Sequence, residues 1–316
     1  MSANNSEETD QAIAIVGAGG IGRAFALLFA SAGFAVRLCE SEASKRKQAP
    51  RKIATSVRDL ADAGLCTVDV DEVVARISVS DDLGATVDGV DYVQECVSED
   101  LAIKQKLFRE LESLSPGTAI LASSSSAITA TQIAGGLDSA QRCLVAHPGN
   151  PPFLIRVVEL VPAPFTDGQV MERACRILQS AGLAPVALKK EVAGFVFNRL
   201  QGALLREAYC LVRDGVAEVD DIDRIVRDGL GLRWAVVGPF ETADLNRPGG
   251  IAAHAEIMGA AYESMGAERG QHDPWTPDLI AKVDAQCRDR LPLARWEERV
   301  RWRDREIMKL LACRRS

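Results

Sequence analysis

The stretch Ala12-Ile13-Ala14-Ile15-Val16-Gly17-Ala18-Gly19-Gly20-Ile21-Gly22 decides the fold. Its first five residues are a continuous apolar run rich in β-branched side chains, the mark of a strand buried on both faces in a parallel sheet. The next six fit G-x-G-x-x-G. That pattern is weak alone and gains force here because it follows a strand and opens a helix. The helix is expected from Ile21 to Ala32, ending at Gly33, and Ala35–Cys39 reads as a second strand. Strand, helix and strand in this order make one βαβ unit.

Each glycine has a task in such a unit. Gly17 permits the tight turn, Gly19 lets the backbone approach a pyrophosphate, and Gly22 lets the helix pack on the strand. Gly20 and Ile21 begin the helix, whose free N–H groups can receive phosphate oxygens. Glu40 ends the second strand, where a carboxylate accepts the ribose hydroxyls and repels a 2′-phosphate. The loop therefore predicts NAD rather than NADP, although Lys45 and Arg46 follow closely and could soften that repulsion.

The alternation continues outward. Ser44 to Leu65 is helical in composition. Strands are expected at Arg76–Val79, Tyr92–Cys96, Ala119–Ala122, Cys143–Ala146, Val157–Val161 and Pro185–Leu188, with helices at Leu101–Leu114 and Val170–Ala181. This order predicts a Rossmann-type, doubly wound α/β sheet. After Lys189-Lys190 only helical periodicity remains. Leu200, Leu204, Leu205, Ala208 and Leu211 make an apolar face, and Asp220, Asp221 and Asp223 open a further helix at its positive end. Two domains are expected, 1–190 and an all-helical 191–316. The arginine-rich segment from Arg295 to Arg315, with Trp296, Val300, Ile307 and Leu311 on one face, reads as an amphipathic surface or interface helix.

The 316 residues carry 37 basic and 44 acidic side chains, a net charge of −7. That balance argues against a nucleic-acid-binding surface and a polybasic membrane anchor. With 47% apolar and 26% charged residues, the chain is neither disordered nor collagen-like. None of the eight cysteines falls in a C-x-x-C spacing, so they read as small buried hydrophobes in a reducing compartment and not as a zinc site. Met1 to Asp10 lacks the apolar core of a signal peptide, and no apolar run is long enough to span a bilayer. A cytoplasmic protein is expected.

Polar residues interrupt the second half of the α/β region. Ser123-Ser124-Ser125-Ser126 follows one expected strand and His147-Pro148-Gly149-Asn150-Pro151-Pro152 follows the next. Glu159 sits inside Val157-Val158-Glu159-Leu160-Val161, where a carboxylate is costly to bury without a partner. His147, on what reads as a neighbouring strand end, is the natural partner, and the pairing would orient its imidazole as a base. Taken singly, Glu159 also fits a hydrogen-bonded strand carboxylate and His147 a turn histidine. His254 and His272 have no such company and read as surface or structural residues. The serine run lacks the G-x-S-x-G elbow, which disfavours hydrolase chemistry.

Taken together, these motifs resemble the 3-hydroxyacyl-CoA dehydrogenase superfamily, and more closely its lambda-crystallin/L-gulonate 3-dehydrogenase branch. The resemblance runs through the glycine loop, Gln94 to Leu101, the serine run, His147 to Pro152, Val158 to Pro162, Lys190 to Leu200, Gly229 to Trp234 and Gly238 to Glu241. It implies an active site of Ser126, His147, Glu159 and Asn198, with Asn150 supporting the pocket. It also implies that Glu40 binds the ribose and that Glu95, Glu99 and Lys104 border the nicotinamide half of NAD. Ser124 stands where the acyl-CoA enzymes usually carry asparagine, and Arg233 precedes the Gly238-Pro239-Phe240-Glu241 motif. The gulonate branch shares both features, so the resemblance favours a small 3-hydroxy acid whose carboxylate Arg233 can hold. It further implies a homodimer formed through the helical domain. A short-chain 3-hydroxyacyl-CoA dehydrogenase, a carnitine dehydrogenase and a non-catalytic nucleotide-binding or crystallin-like structural protein stay open as alternatives.

Overall fold

The computed structural model describes residues 12–235, 238–246 and 250–270, with isolated positions between 278 and 313. The chain divides into two compact units, residues 1–199 with 301–316, and residues 200–300. Against the expected boundary at 190, the first unit carries on to Arg199 and takes in the end of the chain. Met308 is buried, and Ala312 packs, against its apolar core. Met1–Asp10, Trp296, Val300, Ile307, Leu311, His272 and Cys287 lie outside the described residues.

The first unit is built on β1 (Ala12–Val16), β2 (Ala35–Cys39), β3 (Ile77–Ser80), β4 (Tyr92–Glu95), β5 (Ile120–Ser123), β6 (Cys143–Pro148), β7 (Val157–Pro162) and β8 (Ala184–Ala187). They form one sheet in the order β3-β2-β1-β4-β5-β6-β7-β8. The helices are α1 (Gly20–Ser31), α2 (Ala43–Asp62), α3 (Val70–Ala75), α4 (Leu83–Val87), α5 (Leu101–Leu114), α6 (Ala130–Ala134) and α7 (Gly168–Ser180). Successive side chains of a strand face opposite ways, and β1 shows the result. Ile13 and Ile15 join a cluster with Phe25, Phe29 and Leu38, while Ala14 and Val16 join another with Val93, Phe108 and Leu111. This is the Rossmann-type doubly wound sheet expected from the sequence.

One strand departs from the parallel pattern. β7 runs antiparallel to β6, and β8 runs parallel to β7. The β6–β7 connection, residues 149–156, is too short for the crossover of about a dozen residues that a parallel return needs. The chain therefore turns straight back and sets His147 directly opposite Glu159 in the register.

Asp69, Asp82, Asp100 and Asp167 cap α3, α4, α5 and α7 by accepting backbone N–H groups of the first turn. α1 has Gly19 at that position, with no side-chain cap and no carboxylate in its first turn.

The second unit, described by itself, is helical. α8 (Phe197–Arg213) leads into it, followed by α9 (Val219–Arg224), a π-helical turn (Ile225–Leu230), α10 (Gly231–Trp234), α11 (Pro239–Leu245) and α12 (Gly250–Arg269). Arg269 closes α12 on Glu207 and Asp214. On α8 the expected apolar face divides, with Leu204, Ala208 and Leu211 half-buried and Leu200 and Leu205 exposed. Among the described residues no helix is long and apolar enough to cross a membrane.

Candidate active site

The glycine loop performs the tasks its sequence announces. Gly17 has φ of +105°, and a Cβ there would lie 2.6 Å from the Cys96 carbonyl oxygen. A Cβ on Gly22 would lie 1.8 Å from the Gly17 oxygen, so helix and loop touch backbone to backbone. Gly19 and Gly20 instead face open space. A cleft of ≈ 730 Å³ opens beside the loop, lined in part by Gly17, Gly19, Glu40, Cys96 and Ser98. Glu40 stands at its edge with one oxygen on Ala18 N at 2.8 Å and the other on Glu42 N at 2.9 Å. Lys45 and Arg46 are paired with Glu42 and Asp81. An uncapped helix start, open space over the glycines and an acid at the cleft edge fit NAD.

The last residue of β4 and those that follow it hold the loop that carries Ser126. Glu95 is fully buried and bonded to Lys104 Nζ at 2.8 and 2.9 Å, Ser123 Oγ at 2.5 Å and Val97 N at 2.7 Å. Lys104, buried as deeply, completes a strut joining β4, β5 and α5. The resemblance put both beside the cofactor, but in this structure their polar atoms are turned to one another. Glu99 Oε1 accepts from Ser125 Oγ at 2.6 Å, Ser126 N at 2.8 Å and Ala127 N at 3.1 Å. Burial works to raise its pKa, but the Ser125 hydroxyl, the Lys104 ammonium and the two N–H groups outweigh burial and hold it low. Ser124, the departure noted in the sequence, accepts from Gln94 Nε2 at 2.8 Å and lies 3.1 Å from Cys96 Sγ. Burial pushes the Cys96 thiol up to about 12.

His147 Nδ1 lies 2.7 Å from Glu159 Oε2, and both residues are buried. Directly opposed residues of an antiparallel pair point to the same face, so the β6–β7 register makes this contact. The other oxygen, Glu159 Oε1, accepts from Val196 N at 2.8 Å and Phe197 N at 2.9 Å. These donors are aimed by a left-handed turn, with φ of +76° at Gly194 and +50° at Phe195. Left-handed backbone at a bulky residue is strained and persists only where the surroundings hold it. Phe195 is fully buried, with its ring 5.5 Å from the imidazole. One residue past Phe197, Asn198 Nδ2 donates to Ser126 O at 2.8 Å.

The structure therefore draws His147 to Glu159 and Ser126 to Asn198, and residues 196–198 join the two pairs. The Ser126 hydroxyl is exposed and makes no hydrogen bond among the described residues. Asn150 lies exposed in the β6–β7 connection, and Arg233 lies exposed on α10 in the second unit. His254 stacks loosely on Tyr262, at 6.3 Å between rings. Sequence reasoning missed the backbone donors of Val196 and Phe197. The available signal was a glycine just before a phenylalanine in Gly194-Phe195, since glycine marks left-handed turns.

The model of the 3-hydroxyacyl-CoA dehydrogenase NAD-binding domain matches residues 12–192, and that of the same family's C-terminal domain matches residues 194–286. The chain belongs to the 3-hydroxyacyl-CoA dehydrogenase family. It is an NAD-dependent oxidoreductase of the kind that acts on a CH–OH group. A lambda-crystallin homolog of Homo sapiens is 36% identical over 307 residues, covering 94% of each chain. An L-carnitine dehydrogenase of Streptomyces coelicolor is 33% identical over 285 residues, covering 90% of this chain and 86% of its own. Among solved structures, an NAD+-dependent dismutase, 5-formyl-3-hydroxy-2-methylpyridine 4-carboxylic acid 5-dehydrogenase, superposes with a TM-score of 0.76. It is 30% identical and covers 87% of this chain and 86% of its own.

Proposed function

We propose that the protein oxidises the carbon-3 hydroxyl of a small, L-gulonate-like 3-hydroxy acid, as a cytoplasmic homodimer. The observation that carries the reading is the 2.7 Å contact of His147 Nδ1 with Glu159 Oε2, whose sister oxygen is taken by two backbone N–H groups. An acceptor on Nδ1 keeps the proton on that nitrogen and leaves Nε2 to meet the substrate hydroxyl. NAD+ supplies the acceptor for the hydride that leaves carbon 3. His147 removes the hydroxyl proton as that carbon is oxidised, and Glu159 stabilises the imidazolium that forms. The Ser126 hydroxyl and the Asn198 amide hold the substrate oxygen, fixing its geometry and supporting its charge. Phe195 and Phe197, with rings 5.5 and 6.2 Å from the imidazole, limit water around the base.

Three features support a substrate bearing its own carboxylate. Similarity to a lambda-crystallin homolog spans both units, Ser124 stands where acyl-CoA enzymes carry asparagine, and Arg233 offers a guanidinium that grips a carboxylate with two parallel bonds. NADH formation measured with L-gulonate, 3-hydroxybutyrate, carnitine and 3-hydroxybutyryl-CoA tests this reading. The highest kcat/KM is expected for the polyhydroxy acid, with a marked loss in Arg233→Ala. A preference for the CoA thioester with Arg233→Ala silent overturns the substrate class, and no turnover of any compound favours the crystallin-like structural role. The dimer is supported by apolar side chains exposed in the second unit, among them Leu200, Ile225, Leu232 and Phe240. Light scattering is expected to give twice the 34.0 kDa chain mass, and a monomer mass overturns it.

A further inference from the structure

We propose that Arg23 binds the diphosphate of the dinucleotide, supplying the full positive charge that the glycine loop itself lacks. The inference rests on the NAD reading and assigns one residue to one part of that cofactor. Arg23 lies in the first turn of α1, and its backbone N–H donates to Gly19 O at 3.1 Å. It therefore stands one helical turn above Gly19, on the same face. That is the face on which Gly19 and Gly20 meet nothing within 4 Å.

Helical side chains lean toward the N-terminus of their helix, and Arg23 does so: its Nη1 donates to Ala18 O at 2.6 Å. A guanidinium has five N–H donors. Among the described residues Ala18 O is the one acceptor it meets, and no carboxylate lies against it. Half-burial pulls its pKa down, and no acidic neighbour counters that pull. The other cations around the loop differ. Lys45 is 2.7 Å from Glu42, Arg46 is 2.8 Å from Asp81 and Lys104 is 2.8 Å from Glu95.

A partly desolvated cation without a counter-charge is unfavourable, and here it flanks an uncapped helix start that attracts anions. A diphosphate answers both. Its oxygens can take the helix N–H groups and two parallel N–H bonds from the planar guanidinium.

The test is a fluorescence titration with NADH, with adenosine as a competitor that lacks phosphate. Arg23→Gln keeps a donor for Ala18 O and removes the charge. Its NADH affinity is expected to fall roughly 10-fold to 100-fold, the worth of a hydrogen bond to a charged group, while adenosine competes as it does against the wild type. Arg23→Lys is expected to fall between the two. Rising salt is expected to weaken NADH binding more steeply in the wild type than in Arg23→Gln, because the ionic contact is screened. Affinity within about threefold of the wild type at low salt overturns the assignment. So does an equal loss for NADH and adenosine accompanied by a lower melting temperature, which makes Arg23 a clamp on Ala18 alone. A wild-type protein that binds no NADH removes the cofactor reading, and the inference with it.

Discussion

Glu95 on β4 and Glu159 on β7 are two carboxylates buried in one sheet, and they meet different partners. Glu95 is bonded to Lys104, Ser123 and a backbone N–H. Glu159 is bonded to His147 and two backbone N–H groups. Burial and hydrogen-bond number hardly distinguish them. The partner does: it is an ammonium for Glu95 and, for Glu159, an imidazole whose second ring nitrogen is left to face elsewhere. Glu95 with Lys104 is a strut, whereas Glu159 with His147 is, on the proposed function, the couple that moves a proton.

The largest effect that can break this contrast is at His147. His147→Gln is expected to lower kcat by about 10²–10⁴-fold, the worth of a general base, with NADH affinity retained in a fluorescence titration. Wild-type turnover in that variant places the base elsewhere. Lys104→Met should act on stability instead, leaving a buried carboxylate unpaired at a cost of about 3–5 kcal/mol in urea unfolding. The double variant Lys104→Met/Glu95→Gln is expected to recover much of that loss. Full stability in Lys104→Met refutes the strut.

Smaller changes sharpen the comparison. Gly194→Ala forces a Cβ into left-handed backbone, a cost of roughly 1–2 kcal/mol. By moving the Val196 and Phe197 donors it should lower kcat more than it changes KM for NAD+. An unchanged kcat separates the turn from the base. The smallest effect belongs to Glu99. Its carboxyl is held low when folded, so its contribution is present above the unfolded value of about 4.3 and is lost as pH falls through the lower folded value. Melting temperature followed downward through that window should decline less in Glu99→Gln than in the wild type. Parallel curves make the Glu99 contacts energetically idle.

Much of the fold was legible because its signals are local. The β1 run, the glycine loop and the β2 run each declare themselves within a few residues, and α5 was expected with the limits it has, Leu101–Leu114. The reversal of β7 was not read, because an apolar run looks the same in either direction and only the short 149–156 connection carried the information. α3, α4 and α6 escaped because five or six residues are too few to show helical periodicity. In the site, Glu159 stood out as a charge among aliphatics. Glu95, beside Gln94 in the Tyr92–Cys96 run, did not stand out in this way, and its Lys104 partner nine residues on is supplied by the fold. The 196–197 donors are backbone atoms, which no side-chain pattern announces.

The reversed strand has one more consequence. Because His147 and Glu159 are paired by the ladder itself, the two side chains form a self-contained cassette written into a hairpin and braced from outside by the left-handed turn. On the proposed function the acid–base couple lies wholly within the first unit, so substitutions confined to residues 200–300 leave that pairing in place.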